Sequence, residues 1–524
     1  MKKEKKTKKI KEKNTKVKTK KKDTKGKKIA RIIIRTISIL LLIASVVMLV
    51  LFLKSILDLD MLPMKYFKIG ALTLIGLDLI YALVCINKKK AGVLLIIFDI
   101  FAIAIMVAQW FGISYIGKTQ TFLKDNLMKD YDVDEYYFVT NASSDTKSLE
   151  KIDGDTIYYY VDTDYYSILK KSFKKKTSAK LEEVDSLADA LTKLDTPENI
   201  ILINSGTFDS ITENDPEYDK NTKIIDALKL YIKKDKSKIT QSEVDITSEP
   251  FIIFLSGIDT RGSTLVKKSL SDVNMLITIN PNTKTILLVN IPRDSYVQLH
   301  GYRGKDKLTH AGSLGGLELS KATVEDLMGV QADYTVRVNF KAVINLVDAI
   351  GGVTVVEDAI KENSKPFNLW TNRTCWIHYG ENNLNGECAL AFARERYHYF
   401  DGDMQRNRNQ QKVLKAIFDK VSTSTYAVAN YNKLLQAVDG TFETSMSQED
   451  IAALVKFQLN DMTPWKFESQ NVVGGTGRTT TLSSGSTELS VVYPSQSSID
   501  AAKEAIRKVM AGEPLHPEET QTTE

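Results

Sequence analysis

The sequence predicts an α/β protein carried on a membrane anchor, and three observations point there. Three apolar stretches, with at most one charge each, fall within the first 116 residues. Beyond them, short β-rich runs alternate with stretches of helical spacing. Several of those runs end in charged residues, which is how open α/β sheets bring side chains to a ligand. At 524 residues the chain is too long for one typical domain.

Residues 1–31 carry 16 Lys and 1 Arg against Glu4, Glu12 and Asp23, a balance of +14. The formal net charge of the whole chain is only +6, which leaves −8 for everything after the tail. A basic tail on a mildly acidic body is not a nucleic-acid-binding domain, and no nucleic-acid partner is expected. The tail has too few apolar residues to fold. It reads as a cytoplasmic topology signal within reach of anionic membrane lipids.

The spans are Thr36–Leu53, Ile69–Ile86 and Ala91–Ile116. Each is long enough for a hydrocarbon core of about 30 Å. No small-residue cleavage site follows the first, so it reads as an anchor rather than a removed signal. The basic tail and Lys88–Lys90 belong in the cytoplasm, and the hairpin around Asp58, Asp60 and Pro63 outside. Three crossings then put everything after about Gly117 outside the cell. Cytosolic ATP is absent there, while lipid-linked precursors and cell wall are present. Asp78 and Asp99 are costly inside a membrane, and hydrogen bonds between helices account for them more simply than an ion path. Cys85 reads as a small core residue, whereas Cys375 and Cys388 could form a disulfide.

Residues 118–245 read as a small α/β unit without a catalytic motif. Thr156–Val161 and Asn199–Asn204 have strand character, and Leu181–Leu194 and Lys223–Lys233 have helical spacing. The charged stretch Lys233–Thr247 reads as a linker. Phe251–Leu255, Met275–Ile279 and Thr285–Ile291 then read as strands, the last two joined as a hairpin by Asn280-Pro281-Asn282-Thr283. Helical patterns follow at Thr323–Met328 and Ala342–Ile350, the latter stopped by Gly351-Gly352. Val353–Val356 is a strand and Leu384–Leu390 a short helix. An extended Ala391–Tyr397 would turn Arg394 and Arg396 to one side. A helix over Asp403–Val421 puts Asp403, Arg406 and Gln410 on one face. Gly474–Ser486 reads as a flexible loop, and the residues from Gly512 as disordered.

The chemistry lies in the arginines and carboxylates. Arginine forks match phosphate oxygens, and carboxylates hold hard divalent cations. Arg293, Arg394, Arg396 and Arg406 with one divalent cation suit a pyrophosphate, and Asp259 and Asp272 suit Mg²⁺. Taken singly, such residues more often form exposed ion pairs of about 0–1 kcal/mol. Gly257-x4-Gly262-Ser263-Thr264 imitates a nucleotide phosphate loop but lacks its lysine. His300, His310, His378, His398 and His516 show no zinc spacing, and no Gly-x-Ser-x-Gly elbow occurs.

Over roughly residues 250–425 the chain resembles the LytR-CpsA-Psr family of cell-wall glycopolymer ligases. The resemblance rests on Gly257-Ile258-Asp259-Thr260-Arg261, Ser271-Asp272-Val273-Asn274, Ile291-Pro292-Arg293-Asp294 and Lys307-Leu308 with His310-Ala311. It continues through Val347–Val353, Leu384-Asn385-Gly386, Arg394-Glu395-Arg396, Gly402-Asp403, Arg406 and Asn409-Gln410-Gln411. Three spans with an intervening accessory domain resemble the streptococcal capsule-type members.

The resemblance implies an α/β/α sandwich with a central mixed sheet over 246–511, behind a tail (1–31), spans (32–116) and an accessory domain (117–245), with 512–524 as a disordered tail. It implies a polyprenyl-pyrophosphate-linked glycan donor with its lipid in an apolar tunnel, a peptidoglycan acceptor hydroxyl and Mg²⁺. Capsule-assembly proteins are further candidate partners. Carried over, Asp259 and Asp272 bind the metal. Arg293, Arg394, Arg396, Arg406 and Gln410 hold the pyrophosphate, with Arg261 and Lys307 in support. Asp403 orients Arg406 and has a weaker claim as base. The family often has arginine where Leu270 stands, so Lys267, Lys268 or Arg261 would have to substitute. The expected activity is Mg²⁺-dependent transfer of a capsular or teichoic-acid-like glycopolymer to peptidoglycan. The alternative is a non-catalytic regulator or scaffold that binds the polyprenyl phosphate.

Overall fold

A computed structural model describes residues 25–87, 92–127, 131–149, 155–161, 163, 165–234, 242–260, 265–423 and 431–516. The chain divides at Gly117 into two units.

The first unit is built from α1 (Lys25–Leu59), α2 (Met64–Ile86) and the larger part of α3 (Val93–Leu127). All three are long and apolar enough to cross a membrane. Leu40, Leu72 and Ile97 are exposed, as befits helices that are apolar all round. The two intramembrane carboxylates tie the helices together. Ser45 Oγ donates to Asp78 at 2.6 Å, while Ser38 Oγ and Tyr81 Oη donate to Asp99 at 2.9 and 2.6 Å. Residues 25–31, expected in the unfolded tail, are already helical because Lys and Arg are good helix formers continuous with the apolar run.

Among the described residues the second unit has two large sheets, with short two-stranded pairs beside them. The first has the order β3-β2-β4-β1-β5, with β1 Tyr131–Asn141, β2 Thr156–Tyr160, β3 Lys180–Val184, β4 Ile200–Asn204 and β5 Thr222–Lys233. β1 lies between β4 and β5 and is buried on both faces: Tyr136 and Phe138 pack to one, Tyr137 and Val139 to the other. β5 corrects the helix expected over Lys223–Lys233. Leu228, Leu230 and Ile232 are buried while Lys229, Tyr231 and Lys233 are exposed, a period of two imposed by antiparallel pairing along the whole of β1. Helical spacing of the same Leu and Ile residues was an accident of composition that pairing overrode. The helix expected over Leu181–Leu194 likewise begins as β3, parallel to β2. Helix starts only at Leu187, where Ser186 Oγ accepts the Asp189 N–H at 3.0 Å. Helix α4 (Ser205–Asn214) follows β4 at once, because Asn204 Oδ1 accepts the Gly206 N–H at 3.0 Å.

The second sheet has the order β10-β9-β6-β7-β8-β11, with β6 Phe251–Ile258, β7 Ser271–Asn280, β8 Thr285–Ile291, β9 Tyr334–Asn339, β10 Phe442–Thr444 and β11 Lys466–Asn471. β6, β7 and β8 are antiparallel neighbours, and β9 and β11 add in parallel to β6 and β8. The mixed sheet is covered on both faces. Phe254, Leu276 and Val289 meet Val324 and Met328 of α5 (Leu308–Met328) and Ile506 of α9 (Gln496–Ala511). Their neighbours Leu255, Met275 and Leu288 meet Leu414 and Phe418 of α8 (Gly402–Thr423). Near-continuous apolar runs in β6–β8 are what burial on both faces requires.

Helices α6 (Phe340–Ala349) and α7 (Gly386–Arg394) complete the second unit around the site. Asn385 caps α7 by accepting the Cys388 N–H, and Asp348 accepts the Gly386 N–H at 2.7 Å. Cys375 and Cys388 are bridged, which ties the short Phe367–Asn368 and Trp376–Ile377 pair to the start of α7. Gly474–Ser486 is not simply a flexible loop. Gly474–Thr480 pairs antiparallel with Glu488–Pro494, whose Leu489 and Val491 are buried. At the C-terminus Gly512 takes φ 73° as the α9 cap and Glu513 pairs with Arg507 at 2.7 Å, so these two are ordered; residues 517–524 lie outside the described part.

The period of β5 gives a direct expectation. In the detergent-solubilised chain, Leu230→Ala should lower unfolding stability by about 2–5 kcal/mol. Tyr231→Ala, one residue along, should stay within about 0.5 kcal/mol. Denaturant unfolding of the two variants decides between strand and helix.

Candidate functional site

The site forms where three strand ends meet. β6 ends at Ile258 and hands over to Asp259, β7 begins opposite it at Ser271-Asp272, and β8 ends at Ile291 before Pro292-Arg293-Asp294. Antiparallel pairing of β6, β7 and β8 is what brings residues 259, 272 and 293 to one edge.

Arg293 is the centre. Its side chain is only 16% exposed, and Nη1 donates to Asp272 Oδ1 while Nη2 donates to Glu213 Oε1. Nε lies 3.7 Å from Asp294 Oδ2. Burial alone would pull this guanidinium down, but Asp272, Glu213 and Asp294 outweigh it and hold it well above the ordinary arginine value. Asp294 in turn meets Lys307 Nζ at 3.3 Å and Arg406 Nη2 at 4.0 Å. Burial pushes its carboxyl up, and Arg293, Lys307 and Arg406 together pull it below the usual carboxylate range. Asp294 is not among the expected site residues, yet it is the anion that lets three cations share one small volume.

The second half of the edge is more open. Arg394 Nη1 lies 3.0 Å from Asp259 Oδ2, with both side chains around two-fifths exposed. The Asp259 carboxyl is raised, first by burial and then by Asp272, against the pull of Arg394. A carboxylate at an open edge, repelled by a second one behind it that is 13% exposed, is the chemistry that suits a hard cation. Among the described residues no cluster of three or more His, Cys, Asp or Glu occurs, so there is no all-protein cage.

Helix α8 closes the edge from the other side. Gln410 Oε1 accepts from Asn290 Nδ2 at 2.9 Å, and Gln411 Nε2 donates to the Leu288 carbonyl at 3.1 Å, seating the helix on the end of β8. Arg406 and Gln410 therefore share one face, as the spacing predicted. The side chain of Asp403 lies outside the described residues, as does Arg261.

Arg394 and Arg396 depart from expectation. Residues 391–394 are helical, because the Asn385 cap and the alanine-rich run carry α7 through Arg394. The chain turns at buried Glu395, whose carboxylate accepts the N–H groups of Arg396, Tyr397 and Trp370. Arg394 faces Asp259, while Arg396 lies over the Tyr397 ring at 4.9 Å and donates to its hydroxyl. Leu270 is buried, and Lys267 Nζ lies over the Tyr165 ring at 4.7 Å, so Lys267 is engaged with the first sheet. Glu213 carried no sequence signal: it lies 80 residues before Arg293 in an ordinary amphipathic helix.

Residues 218–507, more than half of the chain, match the LytR_cpsA_psr family model. Two similar proteins are polyisoprenyl-teichoic acid–peptidoglycan teichoic acid transferases. TagU of Bacillus cereus is 34% identical over 246 residues, covering 46% of this chain and 76% of that protein. TagT of Bacillus subtilis is 36% identical over 220 residues, covering 41% and 66%. Among solved structures, gbs0355 from Streptococcus agalactiae is 26% identical at a TM-score of 0.43, covering 52% of this chain and 91% of that one.

The depressed Asp294 carboxyl fixes a pH dependence. Its stabilisation is fully present above the unfolded value of about 3.9 and is lost as pH falls through the lower folded value. Asp294→Asn should cost about 3–5 kcal/mol at neutral pH. The gap between variant and parent should narrow as pH drops below about 4, which thermal unfolding across a pH series would measure.

Proposed function

The chain belongs to the LytR_cpsA_psr family, and on that premise we propose that it is a membrane-anchored phosphotransferase attaching a polyprenyl-pyrophosphate-linked glycopolymer to peptidoglycan. The relatives are teichoic acid transferases, which supports this reaction class, and a teichoic-acid-like polymer is the donor glycan we propose, with a capsular one as the second reading. The observation that carries the reading is the buried Arg293 fork held between Asp272 and the Asp294–Lys307–Arg406 group at the sheet edge. The charge rule for spans places the N-terminus in the cytoplasm and this site outside, facing donor lipid and cell wall.

In the reaction an acceptor hydroxyl oxygen attacks the phosphorus that carries the glycan. A new oxygen–phosphorus bond forms, the bond to the bridging oxygen breaks, and polyprenyl phosphate leaves with the electron pair. The hydroxyl proton passes from the attacking oxygen through water to the leaving polyprenyl phosphate, which departs as its monoanion. Arg293, Arg394 and Arg406 stabilise charge as it builds on the leaving phosphate. Lys307 neutralises Asp294, so that this carboxylate does not repel the incoming anion. Gln410 fixes α8 against Asn290 and so sets where Arg406 stands. Asp259 and Asp272 would hold Mg²⁺, whose charge, when bound, offsets that of the phosphate oxygens. The raised Asp259 carboxyl beside Asp272 fits that role, since a cation relieves their repulsion.

The test is transfer of labelled glycan from a polyprenyl-pyrophosphate donor to peptidoglycan by the solubilised chain with Mg²⁺. Arg293→Ala should lower the rate by about 10²-fold or more, and EDTA should abolish it. Full transfer by Arg293→Ala sinks the site assignment. Donor binding without transfer by the parent protein favours a non-catalytic regulator.

A further inference from the structure

The family match begins at residue 218, yet a side chain before it reaches the arginine on which the proposed reaction rests. Glu213 sits in the last turn of α4, in the first sheet's layer, and its Oε1 accepts from Arg293 Nη2. Both partners are largely buried, at 22% and 16% exposed. Oε2 of Glu213 is buried with no hydrogen-bond partner among the described residues.

Helix α4 is held in place at both ends. Near its start Gly206 lies against the backbone of Lys268 and Ser269, where an added Cβ would come within 2.9 Å of the Lys268 carbonyl carbon. Beside it, Lys267 N–H donates to the Val133 carbonyl at 2.6 Å, stitching the first sheet to the entry of β7. At its end Asn214 Nδ2 meets His310 Nε2 at 3.3 Å. His310 is fully buried, and its Nδ1 lies 2.7 Å from Asp306 and 2.9 Å from the Ser483 hydroxyl. With Nδ1–H donated to Asp306, Nε2 is the acceptor for the Asn214 amide. A helix pinned at both ends presents Glu213 at a fixed place.

Arginine has four flexible torsions, so a fork that must meet a phosphate loses rate when its plane is free to turn. Asp272 holds one terminal nitrogen of Arg293, which leaves rotation about that contact. A second carboxylate on the other terminal nitrogen removes it. Each Nη carries two N–H groups, so one on each side remains for a phosphate oxygen.

We propose that Glu213 is a positioning residue lent to the pyrophosphate site by the accessory layer: gripping Nη2 while Asp272 grips Nη1, it fixes the plane in which Arg293 meets the donor. The proposal rests on the reading of Arg293 as a pyrophosphate ligand. It makes α4, which precedes the family match, part of the active site.

The experiment compares Glu213→Ala, Glu213→Gln, Arg293→Lys and Glu213→Ala with Arg293→Lys, in the full solubilised chain, by steady-state transfer and thermal unfolding. Glu213→Ala should lower kcat by about 10²-fold with donor KM changed far less. Glu213→Gln keeps an acceptor oxygen for Nη2 and should recover most of kcat. On the Arg293→Lys background, which has no fork to aim, Glu213→Ala should lower kcat no further. Parental kcat in Glu213→Ala, a loss in Glu213→Gln equal to that in Glu213→Ala at unchanged folding, or losses that multiply with Arg293→Lys would overturn the proposal. Faster transfer by Glu213→Ala would also overturn it, since Glu213 would then compete with phosphate. Parental kcat in Arg293→Ala is a different failure: it removes the proposed function itself.

Discussion

A buried guanidinium at the end of a strand is the constraint around which the second unit is arranged. Arg293 cannot be taken from water without anions around it. Asp272, Asp294 and Glu213 come from three separate places in the chain to meet that need. The anions impose a need of their own. Asp294 is held ionised there by Arg293 together with Lys307 and Arg406, which ties in the start of α5 and the seating of α8. One charge thus draws the β7 entry, the β8 exit, α4, α5 and α8 to a common point. Asp259 and Asp272 repel each other at the same edge, and Arg394 and Arg293 offset that repulsion.

The mixed sheet makes that arrangement rigid. β6, β7 and β8 are buried on both faces, so the residues that follow them have little freedom of position. The more exposed Arg394 is placed by a different device, the end of a capped helix stopped by Glu395. The inner arginine is clamped and the outer one faces an accessible carboxylate. Helix α4 of the first sheet's layer belongs to the inner part, since it reaches Arg293 and His310.

What could be read from the residues was whatever depends on near neighbours. Three long apolar runs form helices long and apolar enough to cross a membrane, and β6, β7 and β8 announce themselves as apolar runs joined by a turn or ended by Pro292-Arg293-Asp294. Arg406 and Gln410 share a face because a helix repeats locally. The errors share a cause too. Lys223–Lys233 has Leu and Ile at spacings that satisfy helix and strand alike, and only pairing along β1 chose between them. Gly474–Thr480, rich in Gly and Thr, became a strand because Glu488–Pro494 offered an apolar partner. Arg394 and Arg396 were separated by a helix end that depends on buried Glu395.

The sequence by itself determined the three apolar helices, the strands that build the site edge and which arginines and aspartates stand at their ends, since composition, periodicity and short ordered motifs are local properties. The tertiary structure alone decided which carboxylate meets which arginine. Glu213 and Arg293 are brought together across 80 residues by the docking of one sheet's helix on the other sheet's edge. An ion pair made by docking leaves no period or spacing in the chain, because its geometry depends on the packing of both layers rather than on either segment.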